Sequence, residues 1–141
     1  MSAHLIFDLA PIGSTVTYSD GTPRPPDRHR KKLAAWETRN GGGRLIARQK
    51  EKRVGNTLLP ASFTLHEGDY GSRGTIVLRV HRTFSVDSDL KFVVKERAAV
   101  GSVLVLDRPG ENAELVYLAS HLDDAQEWLS RHGYPNAVLR E

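Results

Sequence analysis

Thr75-Ile-Val-Leu-Arg-Val-His-Arg-Thr-Phe-Ser-Val86 is the strongest β-patterned run in the sequence. Ile76, Leu78 and Val80 share one parity, Arg79 and His81 the other, and Phe84 and Val86 continue the even series. Alternation with a period of two sends one set to each face of a sheet, and β-branched and aromatic side chains suit that pleated, half-buried surface. The preceding Ser62-Phe-Thr-Leu-His66 alternates Phe63 and Leu65 with polar neighbours. Between the two runs, Glu67-Gly-Asp-Tyr-Gly71 reads as a turn and Ser72-Arg-Gly74 as a loop. Two such segments joined by a short connection are antiparallel neighbours.

Moving toward the C-terminus, Asp87-Ser-Asp89 turns the chain into a strand at Leu90-Lys-Phe-Val-Val94. Gly101-Ser-Val-Leu-Val-Leu106 is a further strand ended by Asp107-Arg-Pro-Gly110, and Ala113–Ala119 reads as another. The period then changes. Leu122, Ala125, Trp128 and Leu129 recur at three- and four-residue steps across Asp123–His132, which makes a helix with one apolar stripe. Acidic residues open it, Arg131 lies near its end, Gly133 follows and Pro135 comes soon after, all in keeping with helix-end chemistry.

Moving toward the N-terminus, Ala10-Pro-Ile-Gly13 is a turn signal ahead of a strand at Ser14–Tyr18, closed by Ser19-Asp-Gly21. Thr22-Pro-Arg-Pro-Pro26 favours an extended, polyproline-like arm, because consecutive prolines lack backbone donors. Asp27 stands as a candidate N-cap for a helix over Arg28–Arg39, with Asn40-Gly41 as its stop. Only Leu33 and Trp36 are sizeable apolar residues there, three apart on one face. Gly41-Gly-Gly43 reads as a flexible break, and Arg44–Arg53 as an exposed or edge strand, because its polar positions are dense. Strands and helices without βαβ alternation predict an α+β fold. The expected architecture is a curved antiparallel sheet, or a small open β-barrel, of five to seven strands with two short helices.

At 141 residues the expected organisation is one domain over 1–141, with 22–53 a basic helix-loop segment inserted after the first strand. The chain has no cysteine, so disulfides, thiolate metal sites and cysteine nucleophiles are excluded. No apolar run approaches the length of a membrane span. Met1–Ala10 lacks the basic opening and long apolar core of a secretory signal. The expected location is therefore the cytoplasm, with no membrane partner.

The formal net charge of +3 hides a segregation. Residues 22–53 carry 11 basic and 3 acidic side chains, whereas residues 111–141 carry 2 basic and 6 acidic ones. Clustered Lys and Arg neutralise phosphates and release counterions, an affinity that needs no sequence readout. The leading expectation is non-enzymatic binding of nucleic acid, DNA or RNA. Arg28, Arg30, Lys31, Lys32, Arg39, Arg44 and Arg48 would contact phosphates, and Trp36 would stack a base or, by the plainer reading, anchor its helix to the core. Set against it is a solvated basic face, or one neutralised by the acidic tail.

A protein-interaction module is the alternative, with the Pro23–Pro26 arm and the acidic C-terminal helix as its surfaces. A metal-dependent nuclease or hydrolase is the third class, using Asp69, Asp87, Asp89 and Lys91. Asp89-Leu-Lys91, with Asp69 or Asp87 upstream, resembles the acidic-x-Lys half of the restriction-type nuclease signature over three residues, although Asp89 falls in a turn and no helix precedes it as that family has it. The resemblance implies an acidic pair on Mg²⁺ with the Lys supporting the attacking water. His66-Glu67-x-Asp69 with His81 is the best acid–base or metal cluster by composition, but Gly68 and Gly71 make a polar hairpin loop the plainer reading. Gly41-Gly-Gly-Arg44 lacks the Gly-Lys-Ser/Thr ending of a phosphate-cradling loop. No Gly-x-Ser-x-Gly elbow occurs. No cofactor and no metal are expected.

Overall fold

The computed structural model describes the backbone of residues 1–72 and 75–141, and the side chains outside residues 70–78. In chain order the elements are α1 (Ala3–Leu9), β1 (Thr15–Ser19), α2 (Arg30–Arg39), β2 (Gly41–Gln49), β3 (Lys52–Val54), β4 (Thr57–Leu59), β5 (Ser62–Ser72), β6 (Thr75–Ser85), β7 (Lys91–Glu96), β8 (Val103–Leu106), β9 (Leu115–Ala119), α3 (Leu122–Arg131) and β10 (Val138–Arg140). The fold is α+β. A five-stranded sheet has the order β6-β5-β2-β1-β7, a three-stranded sheet the order β10-β8-β9, and β3 and β4 form a separate hairpin. All pairings are antiparallel.

The large sheet buries both faces, and alternation along its strands decides which residues go where. One face carries Val16, Tyr18, Leu45, Phe63, Leu65, Phe84 and Phe92, covered by Ala3, Ile6 and Ala10 of the N-terminal segment. Its four aromatic rings pack at centroid distances between 4.8 and 6.2 Å. Phe63 and Phe92 are fully buried, each contributing about 2–3 kcal/mol by leaving water. Beyond the other face, Ile46 and Ala47 meet Leu106, Ala113 and Leu115 of the small sheet and its connection. The small sheet turns Val103, Val105 and Ala119 outward onto Ala125 and Trp128 of α3.

Three expectations need correction. Two helices were expected, and a third, α1, opens the chain. Ser2 caps it by accepting from the Leu5 amide at 3.3 Å, and Ala3, Ile6 and Ala10 bury one stripe. The Gly41–Gly43 run is no flexible break but the start of β2. That strand is the middle member of the five, between β1 and β5, not an exposed or edge strand. Leu45, Ile46 and Ala47 are buried within it, so the dense polar residues around them disguised a central strand. Lys52 and Arg53 leave β2 altogether and enter the exposed β3–β4 hairpin, whose turn holds Gly55 at φ +60°.

The expected turn at Glu67–Gly71 is likewise strand. A bulge between His66 and Gly68 takes up Glu67, and β5 continues to Ser72. Arg73 and Gly74 of the expected loop lie outside the described residues. The α3 helix agrees with expectation, and His121 caps it by accepting from the Asp124 amide. The β9 strand also forms as expected.

Candidate functional site

The basic segment divides into three settings. In the first, α2 stands off the sheet with no buried residue. It is held at its base. Trp36 donates from Nε1 to the Thr22 carbonyl at 3.0 Å, which clips the helix to the proline arm rather than to the core. Asn40 donates to the Trp36 carbonyl at 2.8 Å and to Asp20 at 3.1 Å. Asp20 also accepts from the hydroxyl and amide of Thr22, and these bonds lead in holding its carboxyl down at about 2.

The expected N-cap, Asp27, is not at the helix start. It pairs with Arg24 at 2.6 Å, and the cap position falls to His29, which makes no side-chain capping bond. Arg30, Lys31 and Lys32 therefore open the helix next to uncapped amides, a concentration of positive charge at the positive end of the helix dipole. Arg28, Arg30, Lys31 and Lys32 are exposed and make no ion pair among the described residues.

In the second setting, Arg39 and Arg48 are committed elsewhere. Arg39 reaches Asp20 at 3.4 Å and Asp89 at 3.0 Å. Arg48 lines a cavity of about 510 Å³ with Lys50, Arg140, Asp8 and Glu111. Its Nε is buried without a hydrogen-bond partner, and burial pushes its guanidinium pKa down. Lys50 pairs with Glu111, the one ion pair between the basic segment and the acidic tail among the described residues.

In the third setting, Arg44 joins residues outside the basic segment. Arg44 pairs with His66 across β2 and β5, and His66 pairs with His81 across β5 and β6. Directly paired residues project from the same face, so Arg44, His66 and His81 form one row over three strands. The bulge at Glu67 restores Asp69 to that face, where its Oδ1 lies 2.6 Å from His66 Nε2. The two imidazoles meet edge to face with centroids 5.4 Å apart. His81 Nδ1 lies 3.7 Å from Glu114 Oε1. Arg79 adds a second guanidinium to the cleft of about 330 Å³ above the row, and Tyr117, Trp128 and His132 form its far wall. Trp128 is sandwiched between Tyr117 at 5.0 Å and His132 at 3.9 Å.

The chain matches, over residues 1–141, the model of a family described as Uncharacterised conserved protein UCP036055. The chain belongs to this family. No curated protein and no solved structure matches it.

Of the sequence-derived site residues, the fold keeps Arg28, Arg30, Lys31, Lys32 and Trp36 together on the arm and α2, ties Arg39 at the far end of α2 to Asp20 and Asp89, and places Arg44 and Arg48 apart on β2. The carboxylates considered for metal chemistry are also apart in role: Asp69 holds His66, Asp89 holds Arg39, and Asp87 lines a different groove. Among the described residues, no group of three or more His, Asp or Glu side chains is arranged to hold a metal ion. The sequence pattern puts His66 and His81 on strands but Asp69 in a turn, and does not join Arg79, Glu114 and the α3 wall to them in one cleft. The period-two spacing of Arg79 and His81 was the available signal. No described helix is long and apolar enough to cross a membrane.

Proposed function

We propose that the protein binds nucleic acid through the segment 22–39, by contact with phosphates rather than by reading bases. The observation that carries this reading is that α2 has no fully buried residue, while Arg28 before it and Arg30, Lys31 and Lys32 at its start are exposed without carboxylate partners among the described residues. A helix with no fully buried residue gains little stability from packing, and like charges at its positive end oppose it further. A polyanion laid along the helix start removes both costs, since phosphates neutralise the cations and accept from the free amides. Trp36 keeps the helix clipped to the arm and so fixes the direction in which the cations project. Among the described residues, ion pairing with the acidic tail that would argue against this reading is confined to Lys50, outside the arm.

Titration of labelled single- and double-stranded oligonucleotides at low salt tests this, with amide shifts mapping the contact. A non-specific Kd of about 10⁻⁴–10⁻⁶ M is expected once salt is raised to the physiological level, tighter at low salt, with residues 28–36 shifting first. Affinity weaker than millimolar, or shifts confined to other elements, overturns it. Capture of a protein partner that survives nuclease and high salt would favour an interaction module instead.

A further inference from the structure

We infer that the cleft over the Arg44–His66–His81 row is a metal-independent ribonuclease centre that cuts RNA by transphosphorylation. The inference rests on the proposed nucleic-acid reading for its substrate class, and on the cleft for its chemistry.

The residues divide the work between them. When His66 is neutral, its Nε2–H donates to Asp69 Oδ1 at 2.6 Å, which leaves Nδ1 as the unprotonated, basic nitrogen. A carboxylate behind an imidazole fixes its tautomer and orientation. His81 Nδ1 has Glu114 Oε1 at 3.7 Å, a carboxylate that orients the ring and leaves Nε2 as its other nitrogen. The two imidazoles, each with a carboxylate on one nitrogen, stand with ring centroids 5.4 Å apart, a pair that can share the base and acid roles of one displacement. Arg44 and Arg79 line the same cleft and supply positive charge for the non-bridging oxygens of a phosphodiester. Arg44 is itself held in place, donating from one terminal nitrogen to the Gly13 carbonyl at 2.6 Å. The cleft of about 330 Å³ suits a group of nucleotide size.

The reaction balances without an external reagent. His66 Nδ1 takes the proton of a ribose 2′-hydroxyl, and O2′ forms a bond to phosphorus. The P–O5′ bond breaks, and the His81 imidazolium donates a proton from Nε2 to O5′. The products are a 2′,3′-cyclic phosphate and a 5′-hydroxyl. His66 ends protonated and His81 neutral, and exchange with water resets both. DNA lacks the 2′-hydroxyl and is not a substrate.

The test incubates the full chain with a labelled single-stranded RNA and with a ribodinucleotide, both in excess EDTA, and identifies the termini. The expected result is cleavage to 2′,3′-cyclic phosphate ends, reduced on the order of 10²-fold or more in His66→Ala and in His81→Ala, as loss of a general acid or base predicts. An RNA carrying one ribose among 2′-deoxy residues should be cut only after that ribose, a readout that leaves the protein untouched. Bound but uncut RNA overturns the inference, and so does cleavage that survives both substitutions or ignores 2′-deoxy replacement. Cleavage of the dinucleotide without measurable binding of longer strands would instead remove the arm reading and leave this one standing.

Discussion

A methyl group placed on Gly43 would lie 2.5 Å from the carbonyl oxygen of His66. The same addition at Gly42 would approach the Val16 carbonyl to 2.9 Å. These glycines let β2 run between β1 and β5, and that close approach sets Arg44 directly beside His66. The glycine run therefore builds the candidate catalytic row from the far side of the basic segment, although it carries no functional group itself.

Gly43→Ala should accordingly destabilise the fold by about 3 kcal/mol or more, the upper part of the range for overpacking, because backbone rather than a flexible side chain blocks the methyl. Gly133→Ala meets nothing within 4 Å and should stay within about 0.5 kcal/mol of the parent. Urea midpoints at constant m-value compare the two. Equal midpoints would show that β2 does not run as close to β5 as described.

Tyr18 lies at the edge of the aromatic core, donating to Glu67 and accepting from Arg82 at 3.0 Å. Burial first, then the Glu67 carboxylate, raises its pKa to about 12 from 10.0. A raised pKa means the folded state holds its proton to higher pH than the unfolded chain does. Stability is then full below pH 10.0 and falls as pH climbs toward about 12. Tyrosinate absorbance, compared between the parent and Tyr18→Phe, should assign the latest-titrating phenol to Tyr18. Ionisation of Tyr18 alongside an ordinary tyrosine would contradict the burial.

At the acid end, Asp20 has the opposite sign. Its folded pKa is lowered from 3.8 to about 2, first by the Thr22 hydroxyl and amide and then by Asn40 and Arg39. The stability it adds is present above 3.8 and is lost as pH falls through about 2. Because Asp20 closes the base of the arm, Trp36 fluorescence in a Trp128→Phe background should change over that window. In Asp20→Asn the transition should disappear. Its persistence there would assign the acid step to another carboxylate.

Arg48→Met is expected to be neutral or stabilising by about 1 kcal/mol, because it removes a buried Nε that has no partner and keeps the aliphatic stem's packing. Thermal melts check the sign. A loss above about 2 kcal/mol would mean that the guanidinium is satisfied after all.

The α+β class was legible because alternation at 62–66 and 75–86 and the helical stripe at 122–129 are strong local patterns. Two things were not. Central position of β2 depends on close backbone approach, which the sequence expresses only as three glycines, the same letters that write a loop. Convergence of His66, Asp69 and His81 depends on one bulged residue, Glu67, which shifts parity within a strand; without it, Asp69 projects from the opposite face. Net charge pointed to residues 22–53, but burial and ion pairing divided that segment. Lys and Arg look alike in a charge count whether they project from α2 or sit under a sheet.

The salt dependence of affinity reads most directly the proposed hold of Arg28 and the α2 cations on a polyanion. In Arg28→Gln/Arg30→Gln/Lys31→Gln/Lys32→Gln, fold stability should be unchanged or slightly raised, since none of the four is buried and their charges oppose the helix dipole. The slope of log affinity against log salt should become shallower by roughly 3, given a contribution of about 0.7–0.9 for each neutralised phosphate. An unchanged slope in a folded variant would contradict the account.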